Sequence, residues 1–431
     1  MECSTLLDLL SQYSLVLHQI SPYLSIASLL NLAATSKAFR SLLYSSKEAF
    51  RYIDLSTATG ACVTIPPIDR GGFNWRNERI DESTTEEDFY SGPIRGIFSF
   101  LQRKKVLAFI QVLVLDHVSA PAEVLREIIC EEHYHVRILS VIGSTNLNTK
   151  KLQQTLCYAV RPTRSPGTPK LKGLYFFGVN ERPSLDNLIA PASNGVTDSP
   201  GAQLGAALNR KSHSALQSSG LAAHVNPWYR NSGRVLAQSV AQLNDWAMTL
   251  KECQDVIYFD AILCHGPRHD AMSSMVPANT KDFLGPRIAT IALRGCETCH
   301  TIPENAVRSS QAPSSRLPLL SPLPRHSSSI KNAQQPPQTL QSSTDPHQHD
   351  QLLFARCTDC TFDRWCEGCG KFWCEDHYHI QDLHRTQQPE ISGSSNSNKS
   401  TSRLKVHLGL CIEKCLVMEL LSGSSSDGMW G

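Results

Sequence analysis

The chain has no uninterrupted apolar run of the roughly 18 residues that a membrane-spanning helix needs; its longest sheet-like stretches, 110–115 and 256–263, are far shorter. Its first ten residues, MECSTLLDLL, have neither the basic start nor the small-residue cleavage site of a secretion signal. The expectation is an intracellular protein, in the cytoplasm and/or nucleus, with no membrane partner. Charge is sparse as well: 19% of the 431 residues are charged, against about a quarter in ordinary globular domains. Lys and Arg number 41 against 39 Asp and Glu, a net charge of +2. So small an excess creates no global field for nucleic acid or anionic lipid, and a nucleic-acid partner would need a local basic patch. What is present, 41% hydrophobic residues over 431 positions, suffices for two or three folded units at about 150 residues each.

Cysteine is the abundant exception, with 15 in the chain. Inside a cell thiols stay reduced, so disulfides do not account for them. Cys3, Cys62, Cys130 and Cys157 are scattered without spacing and read as single thiols. Cys357, Cys360, Cys366, Cys369, Cys374, Cys411 and Cys415 crowd into the last quarter, and clustering of that kind points to metal.

The segment CTDCTFDRWCEGCGKFWCEDHYH carries three pairs, Cys357 with Cys360, Cys366 with Cys369, and Cys374 with His377, each separated by two residues. A C-x-x-C turn sets two thiolates about one tetrahedral edge apart, which suits Zn²⁺ and its four ligands. Cys411 with Cys415, in GLCIEKCLV, supplies a fourth pair. Alternating use of the pairs predicts one ion on Cys357, Cys360, Cys374 and His377 and a second on Cys366, Cys369, Cys411 and Cys415, with His379 and His384 as competing ligands. This interleaving is similar to the cross-brace of RING and B-box fingers. A looser group, Cys264, His269, Cys296 and Cys299, in ILCHGPRHDA and LRGCETCHT, either holds a third ion or is a polar loop with free thiols. Metal held by four protein ligands is structural, and the short 351–418 module would owe its folding to it.

Toward the N-terminus, residues 5–45 show helical periodicity with polar breaks. Leu15, Leu17, Ile20, Tyr23 and Leu24 share one face, Ser25 can cap a second helix bearing Leu29 and Leu30, and a third follows from about Lys37 with Phe39, Leu42 and Leu43. The stretch LVLHQISPYLSIASLLNLAATSKAFRSLL resembles an F-box, although Ser14 and Leu15 stand where many members have Leu-Pro and an acidic residue. The resemblance implies a three-helix bundle that docks on the adaptor Skp1, and through it a cullin, with Leu15, Ile20, Leu24, Leu29, Leu30 and Phe39 as docking residues. The alternative is an ordinary helical cap on a larger fold.

Between residues 100 and 300 strand-like and helix-like runs alternate. Strands are predicted around Val112, around Ile138 and around Leu174, and helices bear Val124, Leu125, Ile128 and Ile129, then Leu152 and Leu156. Taking Val112, Arg137 and Lys172 as equivalent positions gives the rhythm of irregular leucine-rich repeats; an ordinary α/β segment with parallel strands is the competing reading. Residues 181–227 read as a polar insertion. A helix over 234–250, a strand over 256–263 and an apolar run over 288–293 continue the region. Residues 303–350, rich in Pro, Ser, Gln and His, read as a disordered linker.

No G-x-S-x-G, phosphate-binding Gly-rich loop or H-E-x-x-H is present, so no intrinsic catalysis is expected. The fold class expected is α/β: an F-box-like bundle over 1–55, leucine-rich-like repeats over 100–300, and the zinc-stabilised end. That order is similar to fungal F-box proteins, and the resemblance implies an adaptor that brings a target protein to a ubiquitin ligase. The alternatives are a non-catalytic zinc-finger protein, a nucleic-acid module, for which the balanced charge argues poorly, and a direct RING-like ligase.

Overall fold

The structure, a computed structural model, describes residues 6–46, 48–61, 86–179, 226–229, 233–236, 240–266, 268–269, 285–302, 307–336, 352–378, 404–418 and 420. Cys3, Cys62, His379, His384 and nearly all of the 181–227 insertion lie outside them. Among the described residues no helix is long and apolar enough to cross a membrane. The chain divides into two compact units: Met1–Gly178, Gln238–Ile262 and Pro313–Gln335 form one, and Val179–Ala237, Leu263–Ala312 and Pro336–Gly431 the other.

The first unit opens with four short helices rather than three, Leu6–Gln12, Ser14–Ile20, Ile26–Thr35 and Lys37–Ser45. Ser25 and Ser36 cap the last two: their hydroxyls accept from the Ser28 and Phe39 amides, each at 3.1 Å, satisfying N–H groups that a helix start leaves without partners. Leu10, Leu17, Leu29, Ala33 and Leu43 are buried among these helices.

Five strands follow, Tyr52–Asp54, Val112–Val114, Ile138–Ser140, Gly173–Tyr175 and Tyr258–Phe259. They form one parallel sheet whose neighbours follow sequence order. Parallel neighbours require crossovers, and the helices Glu86–Arg103, Ala122–Cys130, Thr149–Val160 and Val240–Cys253 lie in the connecting stretches. The register runs Tyr52, Val112, Ile138, Gly173, Tyr258. Arg137 and Lys172, the positions that the spacing suggests, therefore each precede by one residue the ones that align with Val112. The physical reason is the two-residue alternation of a strand: the expected register would turn two cations onto a row otherwise formed by Val112 and its neighbours. The alternate row, Ile53, Leu113, Leu139, Leu174 and Phe259, faces the opposite side and is buried. After the last strand the buried Asp260 carboxylate accepts the Phe176, Phe177 and Gly178 amides at 3.0, 3.1 and 2.8 Å, tying two neighbouring strand ends together.

Part of the expected linker is structured. Pro313–Gln335 lies on the first unit, with Leu319, Leu320, Ala333 and Gln334 buried. Its leucines follow neither a helical nor a strand period, because its path is irregular apart from a 3-10 turn, Ser314–Arg316, and the short helix Ile330–Gln334. Residues 337–350 lie outside the described set.

The second unit is larger than the expected 351–418 module, since Val179–Ala237 and Leu263–Ala312 also belong to it. Ile291–Ala292 pairs antiparallel with both Ala355–Arg356 and Gly233–Arg234, so the 288–293 run does not extend the parallel sheet. Two small cores form around Ile291, Leu293, Phe354, Trp365 and Phe372 and around Trp373, Tyr378 and Val406. Cysteines sit inside both: Cys296 and Cys374 in the first, Cys366 and Cys411 in the second.

Candidate metal centres

Three groups of four Cys and His ligands assemble in the second unit, and within each group the ligand atoms all lie within 4.8 Å of one another. The first comprises Cys264, His269, Cys357 and Cys360, all buried. The strand Ala355–Arg356 delivers Cys357 to the start of a short helix, Thr358–Thr361, where its Sγ accepts the Cys360 amide at 3.4 Å. That turn brings the two thiols together. Cys264 Sγ accepts the amides of Gly266 at 3.4 Å and Cys357 at 3.3 Å and stands 3.9 Å from Cys360 Sγ. A zinc–sulfur bond of about 2.3 Å gives a tetrahedral S···S edge of about 3.8 Å. His269 Nδ1 lies 2.7 Å from the Gly285 carbonyl, a contact that an Nδ1–H donor makes, and Nε2 stands 3.1 Å from Cys357 Sγ, the nitrogen that is left to bind a metal. Such an outer contact fixes the tautomer of a ligating imidazole. Gly266 is required by space: a Cβ there would fall 2.5 Å from Cys360 Sγ.

The electrostatics of the first group call for a cation. Burial pushes the Cys264 thiol up, but hydrogen bonding with Cys357 and Cys360, the charge of Arg356 and the Gly266 amide outweigh it and hold Cys264 well below the ordinary thiol range. Cys357 is driven the other way, to about 12, chiefly by its hydrogen bond to Cys264, and Cys360 is driven up by its bonds to both. Three thiols in one dry pocket resist ionising together unless a metal ion compensates their charge.

The second group is Cys296, Cys299, Cys374 and His377. A tight turn carries the first pair: the Cys296 amide donates to Thr301 O at 2.9 Å and the His300 amide to Cys296 O at 2.8 Å, with His300 at φ 54°. Cys296 Sγ accepts the amides of Thr298 and Cys374, both at 3.4 Å. Burial raises the Cys296 thiol, yet these amides and that of Cys299 bring it down to about 7. His377 presents Nδ1 at 3.0 Å from Cys374 Sγ. One side of this group is open, for His377 is exposed and Cys299 half-buried.

The third group is Cys366, Cys369, Cys411 and Cys415. The hairpin of Val406–His407 and Leu410–Cys411 brings Cys411 to the C-x-x-C turn, its amide donating to Cys366 Sγ at 3.1 Å and its sulfur standing 3.7 Å from Cys369 Sγ. Gly370, at φ 73°, supplies the left-handed residue after Cys369.

The third group contains the four residues that spacing assigns to one ion. The other two exchange partners: Cys357 and Cys360 meet Cys264 and His269, while Cys374 and His377 meet Cys296 and Cys299. The cause is the antiparallel pairing of Ile291–Ala292 with Ala355–Arg356, a long-range contact that spacing cannot report. Sequence reasoning also missed the supporting residues. Arg364, buried, donates to the Cys360 carbonyl and pairs with Glu375 at 3.2 Å, so one guanidinium touches the first group's backbone and the neighbour of Cys374 in the second.

At the N-terminus, Leu29 is part of the buried core and Leu24, Leu30 and Phe39 are half-buried, whereas Leu15 and Ile20 are 74% and 43% exposed. Comparison of the chain with protein-family models, curated proteins and solved structures gives no match.

Proposed function

We propose that the protein is a non-catalytic, zinc-stabilised interaction protein. The observation that carries this reading is the convergence of twelve Cys and His residues into three four-ligand groups. Three-Cys-one-His and four-Cys sets with S···S separations of 3.9 and 3.7 Å suit Zn²⁺, which when bound supplies a fixed tetrahedral cross-link. Four protein ligands per ion leave no position for an activated water, so the centres act by holding the unit folded. The test is metal analysis of the purified chain together with chelator titration monitored by circular dichroism. Three zinc ions per chain and cooperative loss of structure in the second unit on chelation are expected; a folded, metal-free chain would overturn the reading.

A second reading, the Skp1-binding adaptor, is favoured by the exposure of Leu15 and Ile20 and of Tyr23, which is 62% exposed, beside a buried core of Leu17, Leu29 and Leu43. In-order parallel strands joined by helices suit a leucine-rich-like platform for a target. Copurification with coexpressed Skp1 tests it, with Leu15→Asp/Ile20→Asp as the variant: loss of Skp1 with zinc content unchanged is expected. Absence of Skp1 from the wild-type peak would remove the adaptor reading and leave the zinc reading standing.

A further inference from the structure

One face of the parallel sheet carries the register row Tyr52, Val112, Ile138, Gly173 and Tyr258, with Tyr175, two residues on from Gly173, packed in the same cluster. Pro313–Gln335 covers it. Leu319 and Ala333 are buried in one cluster with Val112, Ile138 and Tyr175, and Leu323 and Ile330 pack at its edge. The row is fitted to its cover at Gly173, the residue without a side chain: a Cβ there would stand 3.1 Å from Ile330 Cδ1 and 3.2 Å from Leu319 Cδ1.

The cover is held as a ligand is held. Side chains of the sheet and its approaches grip its backbone carbonyls: Tyr175 Oη donates to Leu320 O at 3.0 Å and Arg51 Nη2 to Arg325 O at 3.0 Å. Ser328 Oγ donates to Gln111 Oε1 at 2.7 Å, and the Leu319 amide to Phe259 O, on the edge strand, at 2.8 Å. All five strands and the helices connecting them precede the segment in sequence, and the segment continues at both ends into stretches that belong to the other unit. It can therefore leave the face without unthreading any strand. Its core, Leu317-Pro-Leu319-Leu320, is an apolar run whose three leucines are all buried.

We infer that the apolar face of the parallel sheet is a peptide-docking surface, that its occupant here is the chain's own Pro313–Gln335, and that its partners are extended protein segments with Leu-x-Leu-Leu spacing. A partner gains access by displacing the segment, so the bound segment is also an internal competitor: an intramolecular ligand is present at high effective concentration and suppresses binding in trans.

The experiment uses the full chain and a fluorescently labelled peptide of residues 313–335, read by anisotropy. Hydrogen exchange of the Val112–Val114 and Ile138–Ser140 amides reports whether the sheet is intact. The Leu319→Ser/Leu320→Ser chain is expected to bind the peptide at least about tenfold more tightly than the wild type, and adding Gly173→Val, which fills the groove, is expected to abolish that binding. Gly173→Val alone is expected to speed exchange across 313–335 while the strand amides stay protected. The inference is overturned if the serine variant loses protection throughout the sheet, since the segment would then be integral core. It is equally overturned if the intact serine variant ignores the peptide, if the wild type binds it as well, or if Gly173→Val leaves both peptide binding and segment exchange unchanged.

Discussion

Which thiols share an ion can be decided by counting. Each of the three groups draws on two ligand pairs, so a single cysteine replacement disables one centre, and a double replacement disables one or two according to whether the two cysteines belong together. Structural zinc binds with about 10–16 kcal/mol in small zinc-dependent folds; shared over four ligands, one thiolate is worth roughly 3–4 kcal/mol, a several-hundredfold loss in affinity. A chelator competing within that window empties the damaged centre and spares the others. Cys357→Ser/Cys374→Ser is the informative chain: its cysteines lie in different groups, so zinc should fall from three ions to one. Cys264→Ser/Cys357→Ser removes two ligands of the same group and should keep two. The assay is inductively coupled plasma mass spectrometry on the monomeric peak after chelator dialysis, with sulfur as the internal count of protein. Two ions retained by Cys357→Ser/Cys374→Ser would refute the grouping and restore the pairing that spacing suggests.

Other substitutions test separate parts of the fold. Gly266→Ala puts a Cβ 2.5 Å from Cys360 Sγ and should cost the first centre its ion while the other two stay loaded, as seen by the same metal count. Burial pushes the Asp260 carboxyl up to about 6, against the backbone amides that lower it, from an ordinary value of about 3.9. The folded state therefore holds this proton more tightly than the unfolded chain, and the carboxylate opposes folding at neutral pH. That opposition is absent below about pH 4 and complete above about pH 6. Relative to Asp260→Asn, the wild type should gain on the order of 2 kcal/mol as pH falls from 7 to 4; metal loss in acid affects both chains alike, and a flat difference in urea midpoints would refute this. Leu29→Asp places a charge in the buried core and should abolish the N-terminal helical signal, whereas Leu15→Asp, at an exposed position, should leave thermal stability within about 0.5 kcal/mol of wild type.

The candidate ligands were legible because metal chemistry writes itself locally: C-x-x-C and C-x-x-H are properties of single turns. Their grouping was legible for Cys366, Cys369, Cys411 and Cys415 but not for the other two groups, which are decided by strands more than 60 positions apart, such as Ile291 beside Arg356. The strand and helix alternation around Val112, Ile138 and Leu174 was readable from apolar runs, but its register slipped by one at Arg137, because a run of consecutive apolar residues carries no period of two. Pro313–Gln335 escaped notice for a related reason. Proline, serine and isolated leucines are the composition of an unstructured tether, and only the sheet beneath gives Leu319 and Ala333 something to pack against. The exposure of Leu15 beside the burial of Leu17 illustrates the limit at the N-terminus: both lie on the face that helical spacing groups together, and tertiary packing separates them.

The order in which the ligand pairs leave the ribosome carries a consequence of its own. Cys264 and His269 emerge first, then Cys296 and Cys299, yet their partners follow only at Cys357 and Cys360 and at Cys374 and His377, and Cys366 with Cys369 waits for Cys411 and Cys415. No centre can close before Cys360 has been made, and the last waits for Cys415. During synthesis the nascent chain exposes unpaired thiol pairs that must be kept reduced and unmetallated, or at least exchangeable. A fragment beginning at 351 would inherit the same predicament permanently, with one complete centre and with Cys357, Cys360, Cys374 and His377 parted from their partners.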